Sequence, residues 1–287
     1  MSTVTEPIEV DVQGLKRLQS RPPVHEYLQD IWKTRNFILL NAKTSANRNG
    51  RDTFLGRIWI VLDPLMQTAF YGFIFGLVLQ VSRGMDNFPG FLAIGVVFFR
   101  IATRGLTSGT NLVRRSRAMI SSFNFPRGAV VIGDTLKHAF DGVAPALVAV
   151  TLAILWQSDK PVYWTVVLVL PLYFLMQMFC LGCSFVVARA CAFVPDLRSV
   201  VNLVNRGLFF LSGVFFSVDR FVNHPALDML MKLNPVYQFL SSVRVSVLDG
   251  TVPSMFTWCY LIAWSLGLTV IGILYFWAAE GRYATLR

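Results

Sequence analysis

Charge is scarce in this chain of 287 residues: only 15% are Asp, Glu, Lys or Arg, and 54% are hydrophobic. Soluble globular domains carry roughly 25% charged residues and 45–50% apolar ones, so the composition belongs in lipid rather than water. Histidine and cysteine are few as well. His25, His138 and His224 stand far apart and form no ligand cluster, so no metal site is expected. Cys180 and Cys183 make a CxxC without the second pair or neighbouring histidine that a zinc site needs, and with Cys191 and Cys259 they read as small packing residues beside apolar blocks. No GxxxxGK[ST] is present, so this chain does not cradle a nucleotide in a P-loop. Strict polar/apolar alternation is also missing, which argues against a membrane barrel.

What is present is a series of apolar runs, each near the roughly 20 residues needed to cross hydrocarbon as a helix. They fall at about 58–81, 88–113, 139–156, 162–190, 200–218 and 255–279. The expected fold is all-α and integral to the membrane: six transmembrane helices, an N-terminal amphipathic interface helix, and short re-entrant helices in the last outer loop. Its parts are a flexible tail (1–23), the interface helix and link (24–57), the transmembrane domain (58–279) and a cytoplasmic tail (280–287). No cleavable signal is read in the polar first 57 residues. Lys and Arg decide the orientation. Of 26, 21 lie in segments 16–57, 100–137, 189–206 and 282–287. The outer segments hold only Arg83, Lys160, Arg220, Lys232 and Arg244. Both termini are therefore expected in the cytoplasm, and the net charge of +10 is explained by the inner membrane face without nucleic acid.

The stretch from His25 to Ala42 sets Leu28, Ile31, Trp32, Phe37 and Leu40 at helical spacing and is expected on the membrane surface, with docking on a partner as the alternative. The loop 114–127, RRSRAMISSFNFPR, holds Arg114, Arg115 and Arg117, then Met119, Ile120, Phe123, Phe125 and Pro126. It is more apolar than a solvated loop requires, which suggests a short helix pressed on another protein. Arg100 and Arg104 lie about 18 and 24 Å along the second span, on one face. A central arginine costs about 2.5–3.5 kcal/mol to insert, so each needs a reason: snorkelling to headgroup phosphates, or contact with an anion in a translocation path. Asp134, Lys137, His138 and Asp141 form one helical stripe, for which internal ion pairing is the default. Deeper ionisable groups do not continue it, so a proton relay is weakly supported.

The last outer loop, 219–253, keeps apolar residues broken by polar ones and reads as two short helices interrupted at Asn234 and Pro235. Phe221, Asn234, Pro235, Tyr237 and Phe239 are its candidate gate residues. Phe70, Tyr71, Phe73 and Phe75 in the first span, and Phe209, Phe210, Phe215 and Phe216 in the fifth, face lipid or neighbouring helices, or line a passage where rings stack on sugars.

The order of these features, with LGRIWIVLDPL (55–65), FPR (125–127), PDLRSVVNLV (from 195), FFLSGVFF (from 209) and LNPVYQFLSSVR (233–244), resembles the membrane subunit of a type-2 ABC exporter. The resembling branch exports O-antigen, capsule, teichoic acid and galactan polysaccharides, and the likeness covers residues 25–287. NRNGRDT (47–53) is longer and more polar than the family's usual link, and Pro195 stands where many members have Arg. The resemblance implies a homodimer bound to two nucleotide-binding ATPase subunits, which would carry ATP and Mg while this chain carries no cofactor. The loop 114–127 and the surface helix would dock those subunits. The first and fifth spans would line the channel, with Arg100, Arg104, Phe70, Tyr71, Phe73, Phe209 and Phe210 on the substrate path, and the 219–244 region would gate it. The implied setting is the bacterial cytoplasmic membrane, with membrane lipids and a lipid-linked polysaccharide as further partners. Competing readings are an ABC exporter of small lipophilic compounds, an integral membrane transferase built on His138 with Asp134 and Asp141, and a proton-coupled carrier.

Overall fold

A computed structural model describes residues 22–48, 58–80, 87–117, 126–157, 161–216 and 225–285. Among the described residues the structure is helical and holds no strand. The described residues form ten α-helices, in chain order α1 (Val24–Lys33), α2 (Arg35–Arg48), α3 (Ile58–Tyr71), α4 (Phe88–Arg115), α5 (Gly128–Leu155), α6 (Val169–Phe193), α7 (Leu197–Leu211), α8 (Pro225–Lys232), α9 (Pro235–Arg244) and α10 (Met255–Trp277). A π-helical turn, Gly72–Val78, extends α3 and another, Val245–Asp249, extends α9; a 3₁₀ turn, Trp164–Leu168, leads into α6. Among the described residues, five helical stretches are long and apolar enough to cross a membrane: Val61–Val78, Phe88–Arg115, Gly128–Leu155, Trp164–Phe193 and Met255–Trp277.

Two differences from the expected spans have physical causes. The third was expected from residue 139, but α5 starts at Gly128, because the stripe at 134–141 interrupts hydropathy without interrupting the helix. The fifth was expected over 200–218, but α7 closes at Leu211, about 22 Å of helix. Gly213 there takes a left-handed φ of 61°, which ends a helix readily in glycine. The surface helix is two helices, which meet at Thr34, whose hydroxyl bonds back to the carbonyls of Asp30 and Ile31.

α4 is the central helix. Leu92 to Phe99 are all buried, and α3, α5, α6, α7 and α9 pack around it. Small residues let backbones touch: Gly105 of α4 lies on the Cys180 carbonyl of α6, and a Cβ on Gly182 of α6 would stand 2.5 Å from the Leu268 carbonyl carbon of α10. Such approach is how helices gain van der Waals contact where lipid offers no hydrophobic drive. Cys180 is buried in this seam with its thiol donating to the Ile101 carbonyl at 2.9 Å. Cys183 and Cys191 are likewise buried, whereas Cys259 is exposed. At the other end of α4, Asn87 caps the helix by accepting from the Gly90 amide at 2.9 Å and donates to the Ala153 carbonyl of α5 at 2.8 Å.

α3 and α7 are different. No residue of α7 is buried, and only 6% of the α3 span is. Both rest on α4 and leave broad surfaces uncovered.

Candidate translocation site and docking face

Three polar clusters sit at three heights on this frame. The middle one is a cavity of about 170 Å³ between α3, α4, α5 and α6. Trp59 and Asp63 of α3, Arg100 and Arg104 of α4, His138 and Asp141 of α5, and Gln177 of α6 line it. The two arginines thus share one site, on the helical face their spacing predicts. Arg100 reaches Asp63 at 2.6 Å, with both side chains partly exposed at the cavity. Arg104 donates from Nε to Nδ1 of His138 at 3.4 Å, and Nε2 of His138 faces Asp134 at 3.4 Å. Asp134 in turn pairs with Arg115 at 2.6 Å. The stripe on α5 therefore pairs with α4 as well as within itself. Asp63 and Gln177 were missed at the sequence level; an acid inside an apolar run was the available signal.

The rings expected on the substrate path divide. Tyr71, Phe209 and Phe210 join one cluster with Phe75, Phe99 and Phe215: Phe75 stacks on Phe215 at 4.1 Å between centroids, and Tyr71 and Phe209 each meet Phe215 at 5.0 Å. This cluster bridges α3 and α7. Phe70 touches its edge through Tyr71, at 5.9 Å between centroids, and the rings of Phe70 and Phe73 are both exposed.

The second cluster lies beyond the rings. Asn234 accepts from the Val236 amide at 3.0 Å, capping α9 ahead of Pro235, and donates to Ser212 Oγ at 2.9 Å. Arg244 is buried, donates to the carbonyls of Gly213 (2.8 Å), Val214 (3.0 Å) and Phe91 (3.2 Å), and lies over the Phe91 ring. It binds the end of α7 to α4. Of the other expected gate residues, Phe239 is sealed in the core against Phe179, Tyr237 is half-buried on α9, and Phe221 lies outside the described residues.

The third cluster lies at the opposite end. Arg114 and Arg115 finish α4 with exposed side chains, and Arg117 follows. Met119, Ile120, Phe123 and Phe125 lie outside the described residues; Pro126 is half-buried where α5 begins. Glu280, just past α10, accepts from the Arg127 amide at 2.8 Å and from the Tyr27 hydroxyl of α1 at 3.1 Å. The Gly128 amide donates to that hydroxyl at 3.0 Å, and the Trp277 indole donates to the Pro22 carbonyl at 2.9 Å. One buried carboxylate thus holds the surface helix, the start of α5 and the C-terminal turn together. Burial is the larger influence on Glu280 and pushes its carboxyl above the ordinary range, against the Arg127 amide, the Arg127 charge and the Tyr27 hydroxyl.

Helical spans around a charged cavity, with a basic face at one end, define a polytopic transport subunit, and residues 37–248 match the family described as ABC-2 type transporter. The chain belongs to that family and is a multi-pass membrane permease. Among curated proteins it is similar to the O-antigen export system permease protein RfbA of Myxococcus xanthus, at 19% identity over 91% of this chain and 96% of the relative. It is also similar to RfbA of Klebsiella pneumoniae, at 22% identity over 82% and 89%, and to nodulation protein J of Azorhizobium caulinodans, at 25% over 66% and 75%.

Proposed function

We propose that this chain is the permease subunit of an ATP-driven exporter that moves a lipid-linked polysaccharide across the cytoplasmic membrane. Its glycan is of the O-antigen, teichoic acid or cell-wall galactan type. The observation that carries the reading is the cationic pair Arg100 and Arg104 in one cavity among the spanning helices, in a chain whose full-length relatives are O-antigen export permeases. A cationic pair among membrane-spanning helices is costly in lipid and is repaid by binding an anion. The lipid phosphate binds there while the glycan passes along Tyr71, Phe209 and Phe210, whose ring faces suit sugars.

Two copies of the chain work together, with the sparsely covered α3 and α7 turned toward the shared passage. α7 supplies a sixth span, and both ends lie in the cytoplasm. Two separate ATPase subunits dock on the surface helix and on the loop that includes Arg114, Arg115 and Arg117; ATP and Mg belong to them. α8 and α9 dip into the outer leaflet and close the passage through Asn234, Pro235 and Tyr237.

The test is co-purification with an ATPase subunit, followed by hydrolysis measured with and without lipid-linked glycan. Stimulation by the glycan is expected, together with loss of export in Arg100→Ala at normal protein level. Transport by the chain alone on a proton gradient, or undiminished export in Arg100→Ala, overturns the reading.

A further inference from the structure

We propose that Asp63 is an internal stand-in for the substrate's anionic headgroup: at rest it occupies Arg100, and a lipid-borne diphosphate replaces it there. This rests on the reading of Arg100 and Arg104 as the headgroup site and goes beyond it by naming what fills the site when substrate is absent.

The geometry supplies the parts. Asp63 and Arg100 belong to different helices and meet at 2.6 Å at the rim of the cavity. Their side chains remain 48% and 37% exposed, so the pair is reachable by a ligand and loosely held compared with a sealed ion pair. α3, which supplies the carboxylate, is the least buried of the candidate spans, and Pro64 follows Asp63 directly, removing a backbone donor within the helix. The pair therefore fastens the least anchored helix to the central one.

The ligand's chemistry follows from what surrounds the pair. Arg104 supplies a second cation with its Nε held on His138, and guanidinium forks match phosphate oxygens well. The cavity, at about 170 Å³, is smaller than the roughly 300 Å³ and upward of ordinary small-molecule pockets, which suits a headgroup rather than a sugar chain. Trp59, which also lines it, is the residue type enriched at membrane–water interfaces and so suits an opening toward the headgroups. An incoming diphosphate brings more charge than the single carboxylate it replaces. Once it sits on Arg100, Asp63 is repelled and α3 is released.

An internal competitor weakens apparent affinity by the fraction of time the site is free. A partly exposed pair closed about 80–90% of the time lowers affinity about five- to tenfold. The experiment measures farnesyl diphosphate binding to the purified protein in phosphatidylcholine nanodiscs, with inorganic pyrophosphate and farnesol as the soluble-anion and neutral-lipid arms. Asp63→Asn is expected to bind farnesyl diphosphate about five- to tenfold tighter than wild type, and Arg100→Gln at least tenfold weaker. Pyrophosphate and farnesol are expected to bind far less. If Arg100→Gln loses binding but Asp63→Asn equals wild type or is weaker, the stand-in is refuted and the headgroup site remains. If neither Arg100→Gln nor Arg104→Gln changes binding, the headgroup reading fails and the stand-in with it. Pyrophosphate binding as tightly as the lipid diphosphate overturns the lipid source, and farnesol doing so overturns the anion site. Asp63→Ser repeats the test in a smaller side chain. If both Asp63 variants fail to fold, the pair is structural and the proposal is wrong.

Discussion

Replacing Glu280 should detach the surface helix from the body of the protein. Its carboxylate accepts from the Arg127 amide and the Tyr27 hydroxyl and lies 3.6 Å from the Arg127 guanidinium, and both side chains of that ion pair are largely buried. Glu280→Ala strands those donors at about 1–3 kcal/mol each and leaves a nearly buried cation without its partner, so the loss is about 3–5 kcal/mol. Glu280→Gln keeps the volume and an acceptor for the Arg127 amide. Its amide group donates toward Tyr27, whose own proton then loses its acceptor, and the cost is about 1 kcal/mol. Thermal unfolding in detergent ranks the variants, and hydrogen exchange over 24–33 locates the effect. Glu280→Ala should accelerate exchange there by at least tenfold while exchange in the middle of α4 stays as in wild type. Unchanged exchange over 24–33 in Glu280→Ala would refute the assignment of Glu280 as the clasp.

The same carboxylate gives a pH dependence. Its pKa is raised in the folded state, so the native protein holds the proton more tightly than the unfolded chain; that stabilisation is full below the ordinary carboxylate pKa and is lost as pH rises through the raised value. The advantage of wild type over Glu280→Gln in unfolding temperature should therefore be greatest at acid pH and narrow as pH rises. Arg244→Met leaves buried carbonyls of Gly213, Val214 and Phe91 without their donor and should cost about 3–5 kcal/mol, read as a lower unfolding temperature; Arg244→Lys, lacking the fork, should recover only part of it. Gly105→Ala drives a methyl group into the Cys180 backbone and should cost about 1–3 kcal/mol by the same measurement, whereas Gly207→Ala, with open space around it, should not. Phe215→Ala removes the fully buried ring on which Phe75, Tyr71 and Phe209 converge; a loss of about 3–5 kcal/mol is expected, and cysteine cross-linking between α3 and α7 should fall with it.

Apolar content made most spans legible and misled where polar groups carry the structure. The start of α5 was hidden because Asp134, Lys137 and His138 lower local hydropathy, yet Arg115 and Arg104 on the facing helix partner Asp134 and His138, so the helix runs on through them. At α7 the error is reversed. The apolar run continues past 211, but the backbone turns at Gly213, and the carbonyls it exposes are collected by Arg244, 31 residues further on. No periodicity within either segment encodes that encounter. Arg100 was conspicuous, because an arginine in an apolar run demands a partner; which partner was not, because Asp63 meets it only after two spans lie antiparallel. Glu280 offered no pattern at all, being one acid near the chain end. In such a protein hydropathy locates most of the stretches that can cross, because each crossing answers to lipid locally. The charged residues answer to one another across helices, and their pairing sets where spans begin, where they stop and where an anion can be held.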